Sequence, residues 1–394
     1  MSVDIGLEKL VLQDFSILKS RRIGLLCNQA SIDKNFSHAI DAFLKAHQKN
    51  IINFNSVFGP QHGLWGHTQD NMIEWEGGFK DTKTGLKIFS LYGKHRKPTE
   101  EMLDDTDTLV VDLQDVGARY YTFIWTMGLC MEACSEYGKE IVVLDRPNPI
   151  GGTQMEGPML NKGFRSFVGW HSLPVRHGLT IAEIAQYFKR RFYPKLSLQV
   201  VAMEGWNRDM YFEDTDLPWA VPSPNMPIPE TALLYPGICL LEATNISEGR
   251  GTTRPFEIFG APWMDSDKFA KIMNKKNLPG VVFRPFQFQP TFNKYSGELC
   301  EGCFIHVTDR KSYKPFYMAI TLITEAHKHC RGNFGWKKPP YEYEYEKMPF
   351  DILVGNNWLR KMIERDDTVS DMETRWSSEL QEFLPTVSEN YLYK

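Results

Sequence analysis

Several loops of this 394-residue sequence carry side chains able to hold a polar ligand or move a proton, and each follows a strand-like run. Gly59-Pro60-Gln61-His62-Gly63 sets an amide and an imidazole between rigid residues. Tyr92-Gly93-Lys94 adds a phenol. The stretch from Gln114 to Tyr121 adds Asp115 and Arg119, and Asp145-Arg146-Pro147-Asn148-Pro149 adds Arg146 and Asn148. In an open parallel sheet, ligands bind outside the carboxyl ends of the strands, where the following loops converge. The positions therefore predict His62, Asp115, Arg119, Arg146 and Asn148 on one rim. Bracing a turn or capping a helix competes with that role for each residue singly; recurrence at strand after strand favours a site.

Two further motifs come from the second half. Pro222-Ser223-Pro224-Asn225-Met226-Pro227 is a stiff extended segment carrying the Asn225 amide. Asn245-Ile246-Ser247-Glu248-Gly249-Arg250-Gly251-Thr252-Thr253 has glycines that let backbone approach a ligand closely, beside a carboxylate, a guanidinium and three hydroxyls. Glu248 and Arg250 are candidate lining residues, with mutual pairing as the plainer alternative.

Other chemistries find no support. The first strand is followed by Asn28-Gln29-Ala30-Ser31 rather than GxGxxG, and GxxxxGK[ST] is absent, so no nucleotide cofactor is expected. No GxSxG elbow suggests a serine hydrolase. His62 and His67 stand five apart without a metal-binding pattern, so no metal is expected. Seven scattered cysteines make no disulfide framework, and Cys300-Glu301-Gly302-Cys303 lacks a second pair for zinc. A net charge of -4 gives no reason to expect nucleic acid or acidic lipid as a partner. No apolar run is long enough for a membrane helix. The residues from Met1 to Gly6 lack the basic and apolar regions of a signal peptide, so the chain as it stands is expected in the cytoplasm.

Apolar runs at Ile23–Cys27, Asn53–Phe58, Lys87–Leu91, Thr108–Asp112 and Glu140–Leu144 alternate with helical stretches near 39–46, 121–137 and 180–192. That order predicts βαβ units and a Rossmann-like, mostly parallel sheet buried on both faces. Thr180 and Glu183 have capping-box spacing. Pro218, Pro222, Pro224, Pro227 and Pro229 mark a boundary between an N-terminal domain, 1–225, and a smaller C-terminal α/β domain, 230–394. In the second domain helices are expected at 265–275, 313–329, 356–364 and 369–383, and strands at 281–286 and 303–307. The cleft is expected at the junction of the two.

Long motifs in this order resemble those of the NamZ-type exo-β-N-acetylmuramidases, formerly a domain of unknown function. The resemblance is carried by Phe58-Gly59-Pro60-x-His62-Gly63, Ser90 to Lys94, Gln114 to Thr122, Leu144 to Pro149, Pro222 to Pro227 and Asn245 to Thr252. It continues through Gly260-Ala261-Pro262, Thr291-Phe292, Cys300 and Val307-Thr308-Asp309. It implies the same two-part fold and release of terminal N-acetylmuramic acid from peptidoglycan fragments. One position departs from the family pattern: where active members carry a glutamate, this chain has Gln61, and an amide cannot act as a general acid. Glycoside hydrolysis needs two carboxyls, or one carboxyl and the substrate's acetamide. The remaining catalytic candidates are Glu248, Asp115, Glu74 and Glu76. A carboxyl beside Trp65 or Trp75 would have its pKa raised by lost hydration, as suits an acid.

Three readings follow: an exo-glycosidase on an N-acetylated amino sugar, a catalytically silent sugar binder, and a different hydrolase on the same scaffold. In the first, Gln61, His62, Tyr92, Asn148 and Asn225 would line the sugar, and Arg119, Arg146 or Arg250 would anchor the lactyl carboxylate of muramic acid.

Overall fold

A computed structural model describes residues 2–69 and 72–394. Ten strands form two sheets: β1 (Arg22–Cys27), β2 (Asn53–Gly59), β3 (Phe79–Lys80), β4 (Lys87–Ser90), β5 (Thr108–Asp112), β6 (Glu140–Leu144), β7 (Ser197–Val201), β8 (Ile258–Ala261), β9 (Val281–Phe288) and β10 (Cys300–Val307). The larger sheet has the order β3-β4-β2-β1-β5-β6-β7. All its pairings are parallel except the edge pair β3–β4. The smaller sheet, β8-β10-β9, is antiparallel.

Side chains of successive strand residues point to opposite faces, and in the large sheet both faces are covered. On one, Leu26, Phe58, Val111 and Val143 pack under the helices Phe123–Glu136 and Ile181–Arg191. On the other, Leu25, Val57, Val110 and Val142 pack under the helix Ala39–Gln48. This is why the strands read as unbroken apolar runs. The capping box at Thr180 forms: its hydroxyl accepts from Glu183 N at 3.3 Å, and Glu183 Oε2 accepts from Thr180 N at 3.0 Å.

The first of these cores runs on into the C-terminal half, taking in Leu233, Leu240, Phe316 and Ile323. The proline-rich stretch gives way at Pro229 to a helix, Pro229–Ile238, whose first proline occupies the first turn, where its missing N–H costs nothing. The chain then folds back. Its last residues return to the large sheet, with Tyr393 Oη donating to Asp145 Oδ2 at 2.6 Å and Leu392 N to Glu183 Oε1 at 2.9 Å. Cys300 and Cys303 both lie in β10, three residues apart and so on opposite faces, which prevents their chelating one ion together. Among the described residues no helix is long and apolar enough to cross a membrane.

Candidate functional site

Where β2 ends, Gly59 leaves room for the Trp75 ring; a Cβ there would stand 2.6 Å from it. Trp75 Nε1 donates to Pro60 O at 3.0 Å and pins the loop. Gln61, next along, is buried with both ends of its amide engaged. Its Oε1 accepts from Thr122 Oγ1 at 2.7 Å, at the start of the helix after β5, and its Nε2 donates to Tyr92 Oη at 3.1 Å, after β4. Tyr92 Oη also accepts from Met72 N at 3.2 Å and donates to Glu342 Oε2 at 3.0 Å. One donor and two acceptors exhaust a phenol. The hydroxyl therefore locks loops from three strand ends to one carboxyl from the C-terminal half.

Glu342 arrives on a tight turn closed by Tyr341 and Glu344, whose backbones exchange hydrogen bonds at 2.9 Å. The turn puts Glu342 and Tyr343 at φ 45° and 65°, a region that non-glycine residues seldom occupy. Burial pushes the Glu342 carboxyl up to about 7; Tyr92 and Arg250 work against that shift, and Glu242 adds to it.

Glu342 lines two adjoining chambers, together with Glu242, Arg250 and Tyr341. The first is tight, with a cavity volume of about 30 Å³, and is also bordered by Gln61, His62, Tyr121 and Asn225. The second, roomier at about 270 Å³, is bordered by Glu248, Asn293, Lys294 and Lys337. Arg250 Nη2 donates to Glu242 Oε1 at 2.8 Å, its Nε lies 3.4 Å from Glu248 Oε1, and its guanidinium sits over the Phe256 ring at 5.0 Å. Burial alone would raise the Glu242 carboxyl, but Arg250 and the Tyr341 hydroxyl, 2.7 Å away, hold it below its ordinary range. Lys294 Nζ donates to Glu248 Oε2 at 2.9 Å and to the carbonyls of Leu241 and Ile246.

Of the residues expected at the site, the structure brings together Gln61, His62, Asn225, Arg250 and Glu248 on the chamber walls, with Tyr92 behind Glu342. His62 sits at φ 70° with Nδ1 2.8 Å from Thr68 O, and Asn225 Nδ2 donates to Gln69 O at 3.0 Å. The single rim expected for Asp115, Arg119, Arg146 and Asn148 is not formed: Arg119, Arg146 and Asn148 are spent on their own surroundings, and Asp115, whose Oδ1 has no hydrogen-bond partner among the described residues, lines neither chamber. Arg146 grips Asp112 through Nε at 2.6 Å and Nη2 at 2.9 Å, lining a separate small crevice. Arg119, wholly buried, donates to the carbonyls of Pro158, Leu173 and Leu353. Asp115 Oδ2 accepts from Gly117 N at 2.7 Å and faces His177 at 3.2 Å. Asn148 ties Leu179 O to Ile150 N. Glu74 is exposed and pairs with Arg96 at 3.2 Å. Glu76 borders a different, largely apolar hollow with Trp65 and Phe79.

Glu342 and Glu242 were not legible as site residues. A signal existed for Glu242, a lone charge in the apolar run from Leu233 to Ala243. Nothing distinguishes Glu342 within Tyr341-Glu342-Tyr343-Glu344-Tyr345-Glu346, where every second residue is a glutamate.

Comparison with known proteins fits this two-part arrangement. Residues 23–230 match the family described as Exo-beta-N-acetylmuramidase NamZ, N-terminal, and residues 233–393 its C-terminal counterpart. The chain belongs to the NamZ family. It is 41% identical over 392 residues to the peptidoglycan beta-N-acetylmuramidase NamZ of Bacillus subtilis (strain 168), covering 99% of this chain and 91% of that protein. Crystal structures of two DUF1343 family proteins from Bacteroides fragilis NCTC 9343 share the NamZ architecture seen here. One superposes with a TM-score of 0.90 at 34% identity, covering 100% of this chain and 99% of that one. The other does so with a TM-score of 0.75 at 30% identity and the same coverage.

Proposed function

We propose that this NamZ-family chain is an exo-acting glycoside hydrolase that releases a terminal N-acetylmuramic acid, or a related N-acetylated amino sugar, from peptidoglycan fragments. The observation carrying this reading is Glu342, a buried carboxyl between the two chambers of a polar cleft, tied through Tyr92 to Gln61. The family's proton-donating position is an amide here, and the nearest carboxyl one hydroxyl away is Glu342. Its raised pKa keeps a large fraction protonated near neutrality, as a general acid requires. Glu242 and Glu248 are instead engaged in ion pairs with Arg250 and, for Glu248, Lys294.

In this reading the acetamide oxygen of the bound sugar attacks the anomeric carbon as the glycosidic C–O bond breaks, and the leaving oxygen takes the proton of Glu342. Water then opens the cyclic intermediate and returns a proton to Glu342, so that one water is consumed per bond cleaved. Gln61, His62 and Asn225 orient the sugar.

Chromogenic β-glycosides of N-acetylmuramic acid and N-acetylglucosamine test the reading. Turnover by the parent, lost in Glu342→Gln but retained at a reduced level in Glu248→Gln, is the expected result. A silent parent that gains turnover as Gln61→Glu identifies a lapsed enzyme that binds sugar, and overturns the assignment.

A further inference from the structure

The second chamber holds an arrangement of charge that the hydrolytic step does not use. Among the described residues three carboxyls and three cationic side chains border it: Glu242, Glu248, Glu342, Arg250, Lys294 and Lys337. Glu242 and Glu248 both pair with Arg250, and Glu248 also with Lys294. Lys294 has spent all three of its N–H donors on Glu248, Leu241 O and Ile246 O, so it has none left for a ligand. Lys337 differs. Among the described residues its ammonium has no carboxylate within 4.0 Å, and its side-chain contact is the Tyr341 ring, at 6.0 Å from the centroid. Its backbone is nonetheless fixed at the chamber, with Lys337 N donating to Ala243 O at 2.9 Å beside the Thr244–Trp336 bridge.

Among the described residues Glu242 and Glu248 are matched by Arg250 and Lys294, which leaves Lys337, exposed at the chamber's edge, as the cation there without a carboxylate partner. Burial lowers the pKa of Lys294, and the field of Lys337 lowers it further, so the two ammonium groups act across the same space. An anion entering that space relieves the repulsion and gains a charge-assisted hydrogen bond.

We infer that the second chamber is a carboxylate subsite in which Lys337, at its exposed edge, contacts the lactyl carboxylate of an acidic amino sugar bound in the cleft. Lys337 thereby separates muramic acid from its neutral relative, N-acetylglucosamine. The assignment rests on the sugar-cleft reading above but not on turnover, and a binding experiment separates the two.

Titrate the full chain calorimetrically with free N-acetylmuramic acid, its lactyl methyl ester and N-acetylglucosamine, for the parent and for Lys337→Met and Lys337→Arg. The acid is expected to bind roughly tenfold more tightly than the ester, as one partly exposed charge contact allows. Lys337→Met should abolish that ratio, Lys337→Arg should keep most of it, and added salt should compress it. Equal binding of acid and ester by the parent, or a ratio unchanged in Lys337→Met, overturns the assignment even if the enzyme is active. Failure to bind any of the three sugars overturns it together with the sugar-cleft reading. Normal binding ratios with no turnover leave the subsite standing and remove only the hydrolase.

Discussion

Two buried carboxyls in this molecule are pushed up to about 7 by burial, and they are put to different ends. Asp145, at the tip of β6, is filled. Its Oδ1 accepts from the backbone N–H of Arg146 and of Ala182, and its Oδ2 from the hydroxyls of Thr180 and Tyr393. Four donors saturate a carboxylate, and Asp145 lines neither chamber of the cleft. Among the described residues the Glu342 carboxyl accepts a single hydrogen bond, from Tyr92, and it faces two chambers. A displaced pKa marks both groups equally. Spare hydrogen-bonding capacity beside open volume is what sets the cleft residue apart.

Substitution breaks the comparison most sharply. Glu342→Gln is expected to lower kcat by about a thousandfold, the middle of the range for a lost general acid. Its melting temperature should not fall. Asp145→Asn replaces an acceptor with a donor among four donors, and should cost about 2 kcal/mol of stability while the folded fraction keeps its turnover. Chemical denaturation and kinetics on the same preparations check both. If Asp145→Asn silences folded protein, the distinction fails.

The pH dependence follows in sign from the same displacement. A carboxyl whose pKa is raised by folding contributes stability below the ordinary carboxylate range, and that contribution is lost as pH rises through about 7. Glu342→Gln carries no such charge, so its stability relative to the parent should grow between pH 5 and pH 8, to on the order of 3 kcal/mol. Turnover by the parent should decline about tenfold per unit above that pKa, because the proton donor is disappearing. Thermal melts and kcat profiles at the two ends of the range read both. A stability gap that narrows with rising pH contradicts a buried, raised Glu342.

Tyr92→Phe tests how Glu342 is positioned. The phenol opposes the rise in the carboxyl's pKa, so its removal should move the alkaline limb of the activity profile upward while lowering kcat/KM roughly tenfold. A merely structural tyrosine would lower the melting temperature and leave the limb in place.

The same contrast explains what could be read without coordinates. The strands of the large sheet announce themselves, because burial on both faces demands uninterrupted apolar runs, as in Thr108 to Asp112. β7, with its half-exposed Ser197–Val201, and the two-residue β3 do not. Gln61, His62, Asn225, Glu248 and Arg250 were legible because glycine and proline frame them at strand ends or in a tight loop. The same framing also picked out Arg146, Asn148, Arg119 and Asp115, since a loop that must turn sharply inside a protein needs polar side chains to satisfy its own backbone. Chamber-lining and self-bracing residues share that composition. Glu342 escaped for another reason: its role comes from Tyr92, 250 residues away in sequence, and no local pattern encodes such a meeting.

The smallest effect is expected where the chain's end seals the filled carboxyl. Tyr393→Phe removes one of the four donors to Asp145 and the acceptor of Met203 N, 2.8 Å away. Three donors remain on Asp145, so the loss should be about 1 kcal/mol, or roughly 2 °C in a chain this long. The raised pKa of Asp145 should climb further, since the phenol opposes it, and turnover per folded molecule should not change. A drop in kcat without a drop in melting temperature would mean that the tail communicates with the cleft. The two carboxyls would then be parts of one device, and their different hydrogen-bond counts would no longer separate scaffold from site.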